Sequence, residues 1–561
     1  MGCLPPGPRP SWPGPASSAP RRRLEREQSL RETPLAELRP EPEALDSQPT
    51  DPAAVPDEQQ ERRKAHLRAI SGGGALMLLG MLLQNALRFA TSVAVSRGLG
   101  QAALGDFGLL TAVERDGQVL AEAGTGRSVL KFVPAALAAE DPGGARHVAW
   151  LAVGIAGASG LLSFAALWLV APALAEGVYR QPELTLPLQV AAAFVPFAAL
   201  ATTLAAVPQA ERNAVPLIVV TRIGVPALFL GCAVLIGRAQ GSMTDLMWAS
   251  AGTMAAGAAA AGLWAWHWVR PWRGAPRKAV TARELLRFSL AVWIAGCSQL
   301  ILGTADVLIL RRYVPAAELG TYVAAARSGA FVVMPMGAIG SLVGPAASDL
   351  WARGDVAGLQ QMYRATTRWI TAAGFVLVAP LLLAPVLLLK VFGKGYDEGG
   401  AIMAAVAIGQ LVNASTGNVG QVLAMVGEER ALALTNGVAA AVMIAALIWV
   451  SPLHGAFGAA LCVGSLFAIV NLSRVAWLWR RTGLHPYDSR YLLCSAASGL
   501  ALALAAVAVW GQGTAWRVGA IGIFWLGQAA LARHGWVPGS ARLLEAVRSL
   551  GRRGRRQPTV E

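Results

Sequence analysis

Residues 97–107 read RGLGQAALGDF, and residues 312–322 read RYVPAAELGTY. Both stretches fit the pattern Arg-x4-Ala-x-Leu-Gly-x-aromatic, and they begin about 215 residues apart. Each stretch connects the first and second apolar segments of a block of six such segments. Matching positions in two blocks of equal orientation predict two six-helix lobes, related by a pseudo-twofold axis along the membrane normal.

The composition of the whole chain indicates a membrane protein. Its 561 residues are 55% hydrophobic and only 14% charged, and the mean hydropathy is +0.48. A bilayer core of ~30 Å takes roughly 20 apolar residues in helical form. We therefore predict an all-α polytopic protein of about fourteen transmembrane helices, two of which follow the second lobe. The predicted helices cover residues 72–96, 107–137, 147–174, 184–209, 214–237, 244–269, 288–312, 319–349, 366–389, 398–426, 430–451, 455–479, 490–510 and 515–533.

Polar stretches divide this pattern into parts. Residues 1–68 are rich in Pro, Glu, Arg, Ser and Gln and lack apolar periodicity, which predicts a disordered cytoplasmic tail. The further predicted parts are an N-terminal lobe at 69–270, a cytoplasmic inter-lobe loop at 271–287, a C-terminal lobe at 288–481, two additional transmembrane helices at 482–535 and a basic cytoplasmic tail at 536–561.

The basic residues predict the orientation of the chain. The net charge is +15, but Lys and Arg lie in loops between apolar segments rather than in a basic and aromatic patch, so we expect no nucleic acid partner. Basic residues precede the first predicted helix at 62–68 and fill the central loop at 270–287, whereas the opposite loops are mostly short and poorer in charge. Further basic residues on the same side are Arg353, Arg364, Arg480, Arg481, Arg490 and the arginines of the C-terminal tail. The positive-inside rule then places both termini in the cytoplasm. We expect a multi-pass protein of the cell inner (plasma) membrane.

Cysteines and histidines indicate no further chemistry. Four cysteines fall inside predicted helices and one lies alone in the tail, and the six histidines are scattered. This distribution predicts no disulfide framework, no metal site and no cofactor.

Four stretches together resemble a known family. They are the first repeat at 97–107, AEAGTGRSVLKFVP at 121–134, VGPAASDLWARGD at 343–355 and VFGKGYDEGG at 391–400. In their order and spacing they resemble the multidrug/oligosaccharidyl-lipid/polysaccharide (MOP) flippase superfamily, in its O-antigen and exopolysaccharide branch. The sequence departs from the commonest pattern of that family in the cluster Glu114, Arg115, Asp116.

The resemblance implies a transport function. Two lobes would form a V around a central cavity and translocate an undecaprenyl-diphosphate-linked oligosaccharide, an O-antigen, capsule or exopolysaccharide unit, by alternating access. Membrane lipids would surround the protein, and a polysaccharide polymerase with its chain-length machinery would be a partner. A membrane potential, negative inside, favours outward movement of an anion by ~2.3 kcal/mol per charge per 100 mV.

Intramembrane arginines are the main candidates for substrate binding. A charge in hydrocarbon costs roughly 2.5 to 3.5 kcal/mol, so each should face a wet cavity or a partner. On the first helix Gln84 and Arg88 are four residues apart, which predicts a polar face toward the cavity. The alternative is that Arg88 extends to the outer headgroups.

Further arginines extend this candidate site. Arg115 lies on the second helix, where an ion pair with Glu122, two turns away, is the alternative to substrate contact. Arg222 and Arg327 have no obvious carboxylate neighbour in the sequence. A guanidinium suits diphosphate because its planar fork donates two parallel hydrogen bonds.

Acidic and amide groups complete the candidates. Asp306 could bind a proton or sodium ion during transport, or it could form a salt bridge with Arg327. Gln410, Asn413 and Asn418 share one broad helix face, which could hydrogen-bond sugar hydroxyls or join helices.

Three other functions compete with this interpretation. A multidrug-type cation exporter of the same fold would need acidic and aromatic groups around the cavity, and the arginines argue against it. A lipid II flippase is compatible with the sequence. A membrane polymerase or ligase would need catalytic residues in sizeable outer loops, whereas the loop at 312–319 is short, so we predict no enzyme and no catalytic residue.

Overall fold

The computed structural model describes residues 57–534, apart from residues 212 and 278, together with residue 536. This part of the chain is helical and contains no strand, which confirms the all-α fold class. The remainders of the predicted tails, residues 1–56 and 537–561, lie outside the described residues.

The first half of the described chain corresponds to the predicted N-terminal lobe. Its helices are α1 (Asp57–Leu99), α2 (Gln101–Glu122), α3 (Thr125–Ala138), α4 (Pro142–Pro172), α5 (Thr185–Ala210), α6 (Val225–Arg238) and α7 (Met243–Val269). Short irregular helices adjoin them at Ala173–Val178, Pro182–Leu184 and Leu217–Gly224.

The second half begins after the central loop. Its helices are α8 (Ala282–Leu310), α9 (Ala316–Gly329), α10 (Met334–Ala352), α11 (Val356–Leu383), α12 (Pro385–Leu389), α13 (Gly400–Ser415), α14 (Val419–Met425), α15 (Glu429–Thr482), α16 (Ser489–Ala508) and α17 (Thr514–Arg533). Single 3-10 turns lie at Ala330–Val333, Lys390–Phe392 and Asp397–Gly399.

Ten helical segments in the described chain are long and apolar enough to cross a membrane. The protein is therefore a multi-pass membrane protein, while the count of fourteen helices stays a prediction. The 54-residue α15 contains a non-helical residue, Gly455, with φ 53° and ψ −146°. Its backbone bends where the predicted helices 430–451 and 455–479 meet, and the freed N–H of Ala456 donates to Glu318 Oε1 at 2.7 Å.

Helix α1 begins earlier than the sequence pattern predicted. Its first residue is Asp57, inside the predicted disordered tail. Residues 57–68 read DEQQERRKAHLR, which are mostly strong helix formers with acidic residues at the start, where they oppose the helix dipole. Local helix propensity therefore explains why residues 57–68 are helical although they show no apolar periodicity.

Two predicted helices are broken in the structure. The predicted helix at 107–137 divides into α2 and α3, because Ala123 (φ 46°) and Gly124 (φ 74°) adopt left-handed conformations. The predicted helix at 398–426 divides into α13 and α14 at Gly417, with φ 62°. Glycine adopts such a conformation without steric cost, so short irregular connections interrupt otherwise continuous apolar sequence.

The two sequence repeats meet where α2 crosses α9. A Cβ atom on Gly105 would lie 2.0 Å from the carbonyl oxygen of Ala316, and a Cβ atom on Gly320 would lie 2.1 Å from the carbonyl oxygen of Gln101. Gly105 corresponds to Gly320 in the repeat, and Gln101 corresponds to Ala316. The two contacts are therefore equivalent, as expected for lobes related by a pseudo-twofold axis. The glycine that both repeats share thus lets the two backbones touch.

The two halves also contact each other at the far end of α2. Trp293 Nε1 on α8 donates to the carbonyl oxygen of Val119 at 3.1 Å. Beyond the break, the hydroxyls of Ser128 on α3 and Ser289 on α8 lie 2.6 Å apart. The middle of α2 therefore runs between two zones of contact with the second half, and it is this middle part that lines a cavity.

The last helices pack against α11. Trp525 Nε1 on α17 donates to the carbonyl oxygen of Val376 at 2.9 Å, and Arg368 forms a salt bridge with Asp488, which caps α16. Trp536, which the sequence placed in the basic tail, is instead buried with its ring 6.1 Å from that of Phe375. Burial of its large apolar ring favours this packing.

Candidate functional site

A cavity of about 320 Å³ lies between the halves of the chain. Its wall is formed by polar and charged side chains together with several aromatic rings. The polar and charged members are Arg88, Thr91, Ser92, Thr111, Glu114, Arg115, Gln118, Thr221, Ser250, Thr253, Thr304, Asp306 and Arg327. The aromatic members are Phe107, Phe194 and Phe229.

The polar face of α1 forms one side of the cavity. The Thr91 hydroxyl donates to the carbonyl oxygen of Leu87 at 2.9 Å, and the Ser92 hydroxyl donates to that of Arg88 at 3.1 Å. These hydroxyls are satisfied within the helix, whereas the exposed Arg88 side chain lies on the cavity wall. The structure thus places Arg88 on the cavity wall, and its role in substrate binding stays a prediction.

Arg115 reaches the cavity from α2. A Cβ atom on Gly303 of α8 would lie 2.8 Å from Arg115 Nη2, so the absence of a side chain there leaves room for the guanidinium. The alternative ion pair with Glu122 is not formed among the described residues. Glu122 instead interacts with Arg127 and the Thr202 hydroxyl, because the helix places it past the cavity.

Two carboxylates face the arginines. Glu114 is 5% exposed and lies near the Ser250 hydroxyl on the cavity wall. Asp306 Oδ2 accepts a hydrogen bond from Tyr322 Oη at 2.6 Å. Tyr322 is the aromatic residue of the second repeat, and no salt bridge joins Asp306 to Arg327 in the described chain. The ion-coupling role of Asp306 stays a prediction.

Arg222 and Gln84 lie beside the cavity rather than on its wall. Arg222 Nη1 donates to Gln84 Oε1 at 2.8 Å, which joins the π-helical turn before α6 to α1. The sequence analysis predicted a separate role in substrate binding for each residue, whereas the structure pairs them. The positive charge of Arg222 still acts on Arg88 at a distance.

The amide candidates of the second half lie outside the cavity wall. Asn413 Nδ2 donates to Gln410 Oε1 at 3.4 Å, and Asn471 Nδ2 on α15 donates to Asn413 Oδ1 at 2.7 Å. Arg474 Nη1 extends this network to Asn471 Oδ1 at 3.2 Å, while Asn418 is buried at the start of α14. Their contact with sugars stays a prediction, and the observed bonds join helices.

A smaller cavity of about 70 Å³ adjoins the first. Arg88 and Arg327 line both cavities, and the rings of Phe89 and Phe331 lie edge to face, 5.2 Å apart, on the wall of the smaller one. The two guanidinium groups therefore lie between the large cavity and the small one.

The charges on the main cavity wall are unequal. Arg88, Arg115 and Arg327 face two carboxylates, Glu114 and Asp306. The positive charges of Arg327, Arg115 and Arg222 act on Arg88 and repel it. An anion with several oxygen acceptors would relieve this repulsion and accept bidentate hydrogen bonds.

Several residues of the main cavity wall were not predicted from the sequence as site residues. Thr111, Glu114 and Gln118 follow each other at intervals of three and four residues, so their common helix face was available as a signal. Ser250 and Gly303 gave no such signal, because each acts through a contact with a residue of a different helix.

Comparison with protein families gives an independent result. A family model described as "Polysaccharide biosynthesis protein" matches residues 71–351. No protein of curated function shows significant sequence similarity to the chain.

Solved structures of membrane transporters are similar in fold. An inward-facing multidrug resistance MATE family transporter of the MOP superfamily has a TM-score of 0.60 and 14% identity, over 71% of this chain and 94% of the transporter. The lipid II flippase MurJ in an inward closed conformation has a TM-score of 0.58 and 12% identity, over 82% and 97%. A MOP superfamily transporter from Pyrococcus furiosus, described as having a binding pocket of reverse polarity, has a TM-score of 0.55 and 15% identity, over 74% and 96%.

Proposed function

Because the chain belongs to the polysaccharide biosynthesis protein family of MOP-superfamily flippases, we propose that it translocates an undecaprenyl-diphosphate-linked oligosaccharide across the inner membrane. The substrate would be an O-antigen, capsule or exopolysaccharide unit, and both termini would lie in the cytoplasm. A polysaccharide polymerase and its chain-length machinery would receive the translocated units.

The observation that carries this proposal is the group of three arginines on one cavity wall. Arg88, Arg115 and Arg327 come from three helices in both halves of the chain. Like charges brought together in a low-dielectric site are costly unless an anion binds among them. A diphosphate offers two negative charges and several acceptor oxygens, which matches the guanidinium donors.

The order of groups in the substrate suggests how it binds. Arg88 and Arg327, which line both cavities, would hold the diphosphate. The polar wall around Gln118 and Thr253 would hydrogen-bond the sugar hydroxyls. The prenyl chain would remain in lipid, and no covalent bond would change during transport.

Alternating access follows from the two zones of contact along α2. Separation of α2 from α9 at Gly105 and Gly320 would open the cavity at one end, and separation of α3 from α8 at Ser128 and Ser289 would open it at the other. The binding of the headgroup between the halves would couple the two movements.

A cation exporter of the multidrug type is the second candidate. Glu114, Asp306 and Phe229 on the cavity wall are the kinds of groups that such a protein would use to bind an organic cation. The excess of arginines favours the anion, since an unpaired guanidinium repels a cation in a site of low dielectric.

Complementation distinguishes the two candidates. In cells that lack their own polysaccharide flippase, the wild-type chain should restore surface polysaccharide and remove the accumulated lipid-linked precursor. The cation exporter would leave the precursor inside and would instead confer resistance to cationic dyes. A lipid II flippase would rescue cells depleted of that activity but would not restore the polysaccharide.

A further inference from the structure

One connection of the second half reaches across to the first half near the crossing of α2 and α9. Residues 390–399, which read KVFGKGYDEG, link α12 to α13, and we name them the lid. The hydroxyls of Tyr396 in the lid and Ser96 near the end of α1 share a hydrogen bond, and both side chains are buried. Arg97 Nε donates to the carbonyl oxygen of Val391 at 2.7 Å. Side chains of the first half therefore hold the lid in place.

An aromatic contact connects the lid to the smaller cavity. The buried ring of Phe392 lies edge to face with the ring of Phe89, with the two centroids 5.2 Å apart. Phe89 lines the smaller cavity together with Arg88 and Arg327. The ring of Phe392 therefore supports one wall of the space beside these two arginines.

The first half has an equivalent connection, residues 173–184 between α4 and α5. In this connection Gln181 accepts a hydrogen bond from Arg311 at the end of α8. Gln181 and Tyr396 are 215 residues apart, and so are Ser96 and Arg311, which is the offset of the two sequence repeats. Each half thus has one connection that is bonded to the first helix of the other half, at equivalent positions.

The bonds that hold the two connections differ in strength. Arg311 is 2% exposed and is fixed by its salt bridge with Asp106, so the bond to Gln181 has a buried, charged donor. The bond of Tyr396 joins two neutral hydroxyls, and the Arg97 side chain is exposed, so water competes for its donors. Hydrogen bonds to charged groups contribute more than bonds between neutral groups. The lid is therefore the more weakly held connection.

The backbones of the two connections differ in the same direction. Gly393 and Gly395 in the lid have φ values of 122° and 93°, which glycine adopts without steric cost. The equivalent connection is helical over Ala173–Val178 and Pro182–Leu184. Hinges consist of a few loop residues that absorb backbone rotation, and the glycines of the lid are suited to this role.

We propose that residues 390–399 are a lid at the exit of the transport cavity, which opens before α2 separates from α9. Because Phe89 follows Arg88 on α1, movement of Arg88 toward a bound diphosphate displaces the Phe89 ring and releases Phe392. The equivalent connection stays on Arg311 during this step. This inference rests on the proposed function, since the lid is an exit only if the cavity binds the headgroup.

Distances between spin labels, measured by double electron–electron resonance, test the lid. The purified full chain is placed in lipid nanodiscs, with its five native cysteines replaced by serine. The lid pair, Glu398→Cys with Ala239→Cys, joins the lid to the end of α6 in the first half. The reference pair, Glu183→Cys with His454→Cys, occupies the equivalent positions 215 residues away. All four positions are exposed, so the labels disturb no buried contact.

The probe is farnesyl-diphospho-N-acetylglucosamine, and calorimetry on the same samples measures its binding. We expect the bound probe to shift the lid pair to a longer distance and to leave the reference pair unchanged. Movement of the two halves as rigid bodies would instead lengthen both pairs, because the four positions are related by the repeat.

Two variants show whether the Tyr396 hydroxyl holds the lid. Tyr396→Phe removes this hydroxyl alone and should raise the ratio of long to short lid-pair distances up to about tenfold without the probe. Tyr363→Phe is the matched control, since the Tyr363 hydroxyl donates to the carbonyl oxygen of Thr416 at 3.1 Å, at the opposite end of α11 from the lid. Both label pairs in this control should remain as in the wild-type chain.

The outcomes separate the lid from the function on which it rests. Bound probe with equal lengthening of both pairs, or with no change in either pair, overturns the lid and leaves the anion site intact. If the probe does not bind, the proposed function fails, and the lid is decided by Tyr396→Phe without the probe. If Tyr396→Phe does not fold, Arg97→Ala takes its place, because it removes the donor to Val391 from an exposed position. An unchanged lid pair in the variant contradicts the lid.

Discussion

Arg311 Nε at the end of α8 donates to Asp106 Oδ1 on α2 at 2.9 Å, and this salt bridge joins the two halves of the chain. The arginine side chain is 2% exposed and the aspartate side chain is 22% exposed. Arg311 also donates to Gln181 Oε1. Asp106 follows Gly105 directly, so the pair holds the crossing of α2 and α9 closed.

Removal of Asp106 should destabilise the protein strongly. Asp106→Ala leaves the buried Arg311 charge without its carboxylate, which costs about 3 to 5 kcal/mol. The apparent unfolding temperature in detergent should fall accordingly. The control is Asp349→Ala, because Asp349 and Arg353 form a salt bridge with side chains 56% and 64% exposed, worth less than about 1 kcal/mol. Equal shifts for the two variants would contradict a structural role of the Asp106 pair.

The glycine contact at the crossing should not accept a side chain. Gly105→Ala and Gly320→Ala each place a methyl group so close to a carbonyl oxygen that the two atoms overlap. This clash should destabilise the protein by about 1 to 3 kcal/mol and strongly reduce transport. Gly252→Ala is the control, since nothing lies within 4 Å of its added Cβ atom. Transport by all three variants at the wild-type rate would show that the crossing does not need close contact.

Gly303 should affect the site without affecting stability. In Gly303→Ala the methyl group would meet only the far end of Arg115, which can move away from it. The dissociation constant for a diphosphate probe, farnesyl-diphospho-N-acetylglucosamine, should rise about tenfold, which corresponds to the loss of one charge-assisted hydrogen bond. Gly296→Ala on the same helix adds a methyl group with nothing within 4 Å and serves as the control. A lowered unfolding temperature with unchanged affinity would contradict this role.

The contrast between these residues shows how far the sequence alone reaches. The position of Arg88 on the cavity wall could be predicted, because Arg88 belongs to a series of polar residues at helical spacing, and such spacing is visible in the sequence. The pairing of Arg222 with Gln84 depends on packing between residues 138 positions apart. The position of the Arg115 guanidinium depends on the absence of a side chain at Gly303. The residue pattern of the helix that carries Arg115 contains no sign of this contact.

The same distinction applies to the fold. The repeats containing Gly105 and Gly320 predicted related lobes, because a repeated pattern at equal loop positions reports symmetry directly. Trp536 was assigned to the basic tail by the arginines that follow it, yet its ring packs against Phe375. Burial of one large aromatic side chain outweighs the polar character of its neighbours.

A variant of Asn413 distinguishes a structural role of the amides in the second half from a role in substrate binding. Asn413→Ala removes the acceptor of Asn471 Nδ2, which should cost about 1 to 3 kcal/mol and lower the apparent unfolding temperature. The affinity for the diphosphate probe should remain within about twofold of wild type, since Asn413 lies outside the cavity wall. A large loss of affinity for this probe, which carries a sugar, at unchanged stability would instead support sugar binding by this face.

The most direct test of the central claim is the rate at which purified protein in liposomes translocates a fluorescent diphosphate-linked oligosaccharide. We expect Arg88→Ala and Arg327→Ala to lower this rate about tenfold or more, because each removes a charged donor worth roughly 1.5 to 3 kcal/mol to a phosphate. Lysine at either position should restore the rate only in part, since it keeps the charge and loses the paired donors. Translocation by both alanine variants at the wild-type rate would contradict the cationic cavity as the site of transport.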